Sequence, residues 1–196
     1  MNSGWLLWFT GLPGCGKSTI ARMVAARLQS LGHGVHYLEM DQRRKIYFPS
    51  PTYSSEERVA AYTLFAEEGA RLAALGYGVI LDGAAPALAM RNHARSLVPE
   101  FAEVLIRCSL PTAMHREASR PGGNVMADLY RKALERQQTG RRFSGLGQVI
   151  GVDVPYEENP GAECIVNTDT LSPDQACAFV LDFFRAWRQR TLSAGG

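Results

Sequence analysis

The chain has 196 residues, 46% of them hydrophobic and 20% charged, with a formal net charge of +2 at neutral pH. That length suits one domain with its own core, and the near-balanced charge argues against a nucleic-acid binder that works through a broad basic field, though not against a local basic pocket. Four cysteines, Cys15, Cys108, Cys164 and Cys177, form no CxxC pair and have no histidine at metal-ligand spacing, so neither a zinc site nor a disulfide framework is expected, and the thiols read as reduced in a cytoplasm.

The start, MNSGWLLWF, reads as a buried first strand (5–10) rather than a signal peptide, since it lacks a basic leader and a small-residue cleavage site. Residues 17–31 repeat apolar positions at helical spacing (Ile20, Val24, Leu28, Leu31), and Gly32 ends the helix. VHYLEM (35–40) predicts a second strand that stops at Asp41. Residues 55–75 predict a long helix, with Ser54 or Ser55 as N-cap and Glu56 and Glu57 in its first turn. GVILDG (78–83) is a third strand and carries Asp82 at its end; 87–97 reads as helix and AEVLIRCS (102–109) as a fourth strand. A helix follows at 112–119, then a break at PGGN (121–124) and a helical stretch at 126–138. Residues 139–162 carry five glycines and two prolines and read as a mobile loop of the kind that often serves function. A last strand (163–168) and an amphipathic helix (172–190) close the chain.

Alternation of this kind implies an α/β fold in three layers, with a mainly parallel sheet and helices on both faces. One domain over residues 1–196 is expected, with a lid of helices and loop at about 112–160. No apolar run approaches the roughly 20 residues needed to span a bilayer, so no membrane partner is expected. In the C-terminal helix, Phe179, Phe183 and Trp187 recur every four residues beside Val180 and Phe184. Docking on the sheet explains that stripe; a homodimer interface is the other reading.

Gly11-Leu12-Pro13-Gly14-Cys15-Gly16-Lys17-Ser18 matches G-x-x-x-x-G-K-[ST] throughout, between a predicted strand and a predicted helix. Glycines at this spacing let backbone N–H groups curl around phosphates, and the helix adds its positive end. Lys17 offers an ammonium to the β- and γ-phosphates, and Ser18 a hydroxyl to Mg²⁺. The loop from Gly11 to Thr19 is therefore expected to bind ATP. No NKxD or TKxD guanine signature is present: Asn167-Thr168-Asp169 lacks the lysine. Arg116, Arg120, Arg131, Lys132, Arg136, Arg141 and Arg142 cluster after the fourth strand, which suits a small-molecule kinase whose basic lid excludes water and offsets charge during transfer. Asp41 and Asp82 stand at the C-terminal ends of two predicted parallel strands, the edge where doubly wound sheets bind ligands. Either could take the proton of an attacking hydroxyl or hold Mg²⁺. Arg44 and Arg58 could hold an anionic acceptor. A nucleic-acid end kinase is disfavoured because no basic patch with interleaved aromatics is found.

WFTGLPGCGKSTIA, the segment YSSEER (53–58), FAEVLIRCSL, REASR, DLYRKAL (128–134), PYEENPGAE (155–163) and VNTDTLS (166–172) together resemble the adenylylsulfate kinases, over most of the chain. The resemblance implies a phosphate-loop kinase fold and transfer from MgATP to the 3′-hydroxyl of adenosine 5′-phosphosulfate, in sulfate assimilation. By position it makes Asp41 the base and puts Arg44 and Arg58 on the phosphosulfate or ribose side. It places Leu129, Tyr130 and Lys132 in the lid over both nucleotides, with Thr168 near the ATP adenine. Arg116, from the cluster after the fourth strand, is the candidate catalytic lid arginine. The chain departs from the family pattern at four places. D-G-D reads Glu39-Met40-Asp41, and the asparagine and arginines after the D-R pair read Ala61, Tyr62 and Thr63. I-S-P reads Ala84-Ala85-Pro86, and K-G-L-Y reads Ala127-Asp128-Leu129-Tyr130. Most of these changes lie on the acceptor side. A kinase of the same fold with a different small acceptor, and a regulatory ATP-binding subunit without turnover, are the alternatives.

Overall fold

The computed structural model describes residues 4–119 and 128–194; Arg120, the expected break at 121–124, the start of the helix expected from 126, and Ala127 lie outside them. In chain order the elements are β1 (Trp5–Thr10), α1 (Lys17–Ser30), β2 (Val35–Glu39), α2 (Met40–Tyr47), α3 (Ser55–Ala74) and β3 (Gly78–Asp82). Then follow α4 (Leu88–Leu97), β4 (Phe101–Arg107), α5 (Leu110–Ala118), α6 (Leu129–Thr139), β5 (Cys164–Asn167) and α7 (Pro173–Ala194). The strands form one sheet in the order β2-β3-β1-β4-β5, and every pairing is parallel.

β1 is the central strand and is buried at all six positions, which is why it reads as a continuous apolar run rather than an alternation. Its side chains still point alternately. Trp5, Leu7 and Phe9 enter a core with Val24 and Leu28 of α1 and Val180 and Phe184 of α7. Leu6 and Trp8 enter a second core with Phe65 and Ala66 of α3 and Ala94 of α4. Two cores on two sheet faces make the expected three layers. Trp8 is fully buried, its indole N–H bonded to the Gly83 carbonyl at 2.9 Å and its ring edge-on to Phe65 at 5.7 Å. Polar handle and apolar body are both satisfied. The α3 start is also as expected: Ser54 caps it by accepting from the Glu57 amide at 3.2 Å.

Three expectations need correction. The eight-residue helix α2 follows β2 at once; only Met40 and Arg44 of it are buried, so it carries too little apolar periodicity to be seen in the sequence. The C-terminal stripe is rotated: Ala176, Val180, Phe184 and Trp187 face the core, while Phe179 is 49% exposed. Phe184 meets Trp5 edge-on at 4.7 Å. Of the loop expected over 139–162, Thr139 is the last residue of α6 and the rest holds no helix or strand beyond a bridge between Ile150 and Val154, yet it is tied down at both ends. Arg136 donates to the carbonyls of Leu146 and Gly147, each at 3.0 Å, and pairs with Asp153 at 2.5 Å. Val149 is buried in the core on the α1 face. Farther on, Tyr156 bonds Thr10 at 2.8 Å, the Glu157 amide donates to the Pro86 carbonyl at 2.8 Å, and Asn159 donates to Glu103 at 2.8 Å.

Candidate active site

At the C-terminal edge of the sheet, the chain leaves β1 at Thr10 and turns into α1 through the glycine loop. Gly16, at φ 95°, is the N-cap of α1 and offers no side-chain cap. No acidic residue occupies the helix's first turn, so its positive end and free N–H groups face an incoming anion. Gly14, at φ 84°, passes so close to α5 that a Cβ there would sit 2.2 Å from the Ala113 carbonyl oxygen. Glycine at that position is a requirement of packing as much as of ligand approach.

This loop opens into a cavity of about 430 Å³. Pro13, Gly14, Lys17, Ser18 and Thr19 form one wall; Asp41, Arg44, Arg58, Tyr62 and Asp82 form the facing parts; Gly147, Gln148, Val149 and Ile150 close the far side. Its size suits a small-molecule site. Burial works to lower the Lys17 pKa, but the neighbouring acidic groups Cys15, Asp82 and Asp41 outweigh it, so the ammonium form is favoured. Asp41 opens to the cavity yet is crowded by protein, and that desolvation raises its pKa above the ordinary value, with Lys17 pulling the other way. A carboxyl of raised pKa beside a phosphate loop is suited to accept a proton.

Asp82 is 2% exposed; its Oδ2 accepts from the Tyr37 hydroxyl at 2.6 Å, whereas its Oδ1 has no hydrogen-bond partner among the described residues. A buried carboxylate oxygen left over at a cavity wall, with the Ser18 hydroxyl on the same cavity, is a hard-oxygen pair of the kind that fits Mg²⁺, which keeps most of its shell for water and phosphate. Among the described residues no group of three or more His, Cys, Asp or Glu forms a cage for a metal, so the fit is to a cation that arrives with its nucleotide.

On the opposite side of the cavity Arg44 pairs with Glu57 at 3.0 Å, each about 8% exposed, and lies over the Tyr53 ring at 5.2 Å. Arg58 donates to the Gln148 carbonyl at 2.9 Å and keeps its buried Nε without a partner. Burial lowers its pKa, as expected of a cation that lacks a facing carboxylate. Of the two arginines expected to hold an anion, Arg44 already has a carboxylate partner in Glu57, whereas Arg58 has no ion pair among the described residues.

Several expected residues lie outside the cavity wall. Arg116 donates to the Thr168 hydroxyl at 3.0 Å and its carbonyl at 2.7 Å, and that hydroxyl donates on to the Cys15 carbonyl at 2.9 Å. Both residues thus brace the phosphate loop from behind. Tyr130 is buried and donates to the Pro13 carbonyl at 2.8 Å, a second brace. Lys132 also does not reach the wall, whereas Leu129 does. Gly11, Leu12, Cys15 and Gly16 shape the loop without lining the cavity.

Several wall residues were not among the site residues expected from the sequence, Tyr62, Arg22 and Glu117 among them. Tyr62 and Arg22 lie four residues beyond Arg58 and Ser18, so helical phase would have brought each to the cavity. Glu117 also lines it, and its Oε1 accepts from the Leu129 amide at 3.0 Å.

Residues 3–167 match the family model described as adenylylsulphate kinase. A probable adenylyl-sulfate kinase of Archaeoglobus fulgidus is 33% identical over 165 residues, which is 84% of this chain and 96% of that protein. The adenylyl-sulfate kinase of Thermodesulfovibrio yellowstonii is 29% identical over 186 residues, 94% of this chain and 85% of that one. Among solved structures, the APS kinase of Mycobacterium tuberculosis in complex with AMPPNP and APS superposes with a TM-score of 0.78 at 23% identity, covering 94% of this chain and 99% of its own.

Proposed function

The chain belongs to the adenylylsulphate kinase family, and on that premise we propose that it transfers the γ-phosphate of ATP to the 3′-hydroxyl of adenosine 5′-phosphosulfate. The observation that carries the reading is one cavity in which Lys17 and Ser18 of the phosphate loop face Asp41, with Arg58 beyond. ATP binds with its phosphates on the loop N–H groups and the α1 end, and Lys17 offsets charge on the β- and γ-oxygens. Ser18 and the free Oδ1 of Asp82 would hold Mg²⁺, which would supply charge neutralisation for the transferring phosphate. Asp41 orients the acceptor hydroxyl and takes its proton, while Arg58 binds acceptor anion. The cavity walls of α3 and residues 147–150 exclude water, so that transfer to the acceptor competes well against hydrolysis.

The whole chain acts as one catalytic domain in this reading, with no nucleic-acid or membrane partner, in a cytoplasmic sulfate-assimilation step. A homodimer is its proposed assembly. Arg116 contributes by holding the phosphate loop rather than by touching phosphate.

A second reading keeps the chemistry and changes the acceptor. Ala61 and Ala85 are fully buried where the family carries polar residues, and Arg44 is already neutralised by Glu57. An acceptor with fewer anionic groups would suit that wall. The test is coupled ADP release with MgATP, with and without adenosine 5′-phosphosulfate, in the wild type and Lys17→Ala. Stimulation by the acceptor that falls by about 10²–10³ in the variant supports the first reading. Release stimulated only by other small hydroxyl compounds supports the second, and nucleotide binding with no stimulated release by any acceptor supports a regulatory subunit.

A further inference from the structure

With Asp82 as the metal carboxylate of that reading, the residue that holds Asp82 becomes part of the machinery. β2 and β3 run parallel with Tyr37 opposite Ile80 and Glu39 opposite Asp82. Strand alternation therefore puts Tyr37, Glu39 and Asp82 on one sheet face, the face covered by α1. There Arg22 of α1 pairs with Glu39 at 2.7 Å and lies over the Tyr37 ring at 5.9 Å. The Tyr37 hydroxyl donates to Asp82 Oδ2 at 2.6 Å. Burial and the neighbouring Asp82 charge raise the phenol's pKa, so it remains a proton-bearing donor. The opposite oxygen, Oδ1, is buried at the cavity wall without a hydrogen-bond partner among the described residues.

A carboxylate free to rotate would share its two oxygens among Lys17, water and metal. One oxygen held by a short bond from a packed ring fixes the plane and commits the other to the cavity. We propose that Tyr37 is a positioning residue of the phosphotransfer site: its hydroxyl locks the Asp82 carboxylate so that Oδ1 is presented to the Mg²⁺ that accompanies the nucleotide. Outer partners of metal ligands commonly act in this way, setting ligand orientation and basicity. Phenylalanine fills the same space and removes only the hydroxyl.

The test is calorimetric titration of Mg²⁺ into the full chain saturated with ADP, for the wild type, Tyr37→Phe, Asp82→Asn and the double variant. ADP affinity in EDTA is measured alongside. Tyr37→Phe is expected to weaken Mg²⁺ binding about tenfold while metal-free ADP affinity stays within about twofold. It should add nothing to the loss already caused by Asp82→Asn. Wild-type metal affinity in Tyr37→Phe overturns the proposal. So does an equal loss with and without metal, which marks a purely structural role, or a fully additive loss in the double variant. An Asp82→Asn variant that keeps wild-type Mg²⁺ affinity overturns it as well, and removes Asp82 from the metal site. Acceptor-dependent ADP release, scored separately, decides the phosphotransfer reading whichever way Tyr37 falls.

Discussion

At the scale of single residues, Asp41 and Asp128 carry the plainest consequences. Crowding raises the pKa of Asp41. A base must be ionised to act, so the acid limb of kcat/KM should lie above the ordinary aspartate value of about 4. Asp41→Asn should lower activity by about 10²–10⁴ and leave the remainder without that limb. An acid limb unchanged in the variant would show that another group titrates. Asp128 sits at φ 59° as the residue before α6, in the left-handed region that glycine enters most easily. The family resemblance puts a glycine at this place, and the backbone shows why. The Asp128–Arg131 pair at 2.9 Å is largely exposed and contributes little. Asp128→Gly should therefore leave stability within about 0.5 kcal/mol, and Asp128→Val should cost about 1–2 kcal/mol, read from urea midpoints. Equal effects of both would deny the backbone account.

At the scale of elements, the segment 155–160 shows how a motif can be informative without lining the cavity. It lies across the ends of β1, α4 and β4, pinned by Tyr156 to Thr10 and by Asn159 to Glu103. Arg91 of α4 is fully buried, pairs with Glu103 of β4 at 2.9 Å, and donates to the Ala85 and Glu157 carbonyls. Removing one side of such a pair strands the other in the core. Arg91→Met should cost about 3–5 kcal/mol in urea unfolding, and a loss below about 1 kcal/mol would contradict the network's role. The elements themselves were legible where burial is two-sided or one face is apolar: among the described residues, all five strands and six of the seven helices follow from the pattern. α2 was not, because only Met40 and Arg44 of it are buried and much of its remaining attachment is polar, through Arg43 and the Tyr47 hydroxyl to Glu68. The direction of side chains on α5 and α6 was also hidden. The arginine cluster placed Arg116 in the lid and the family resemblance placed Tyr130 there, but only packing shows them turned onto Thr168 and Pro13.

At the scale of the whole molecule, one parallel sheet does most of the positioning. Because every strand runs the same way, the ends of β1, β2 and β3 deliver the phosphate loop, Asp41 and Asp82 to one edge. That convergence was readable from a glycine motif and two strand-terminal aspartates. The acceptor half was less so, since its wall is built from the α2–α3 turn and residues 147–150, whose course depends on contacts such as Arg58 to Gln148 and Arg136 to Asp153. The central claim is that this edge passes phosphate from ATP to the 3′-hydroxyl of adenosine 5′-phosphosulfate. It is tested most directly by ³¹P NMR of the full chain turning over MgATP with that acceptor. The account predicts a new phosphomonoester resonance on the acceptor ribose, growing in step with ADP and absent in Lys17→Ala. ADP accompanied only by inorganic phosphate, or no ADP with the acceptor present, would contradict it.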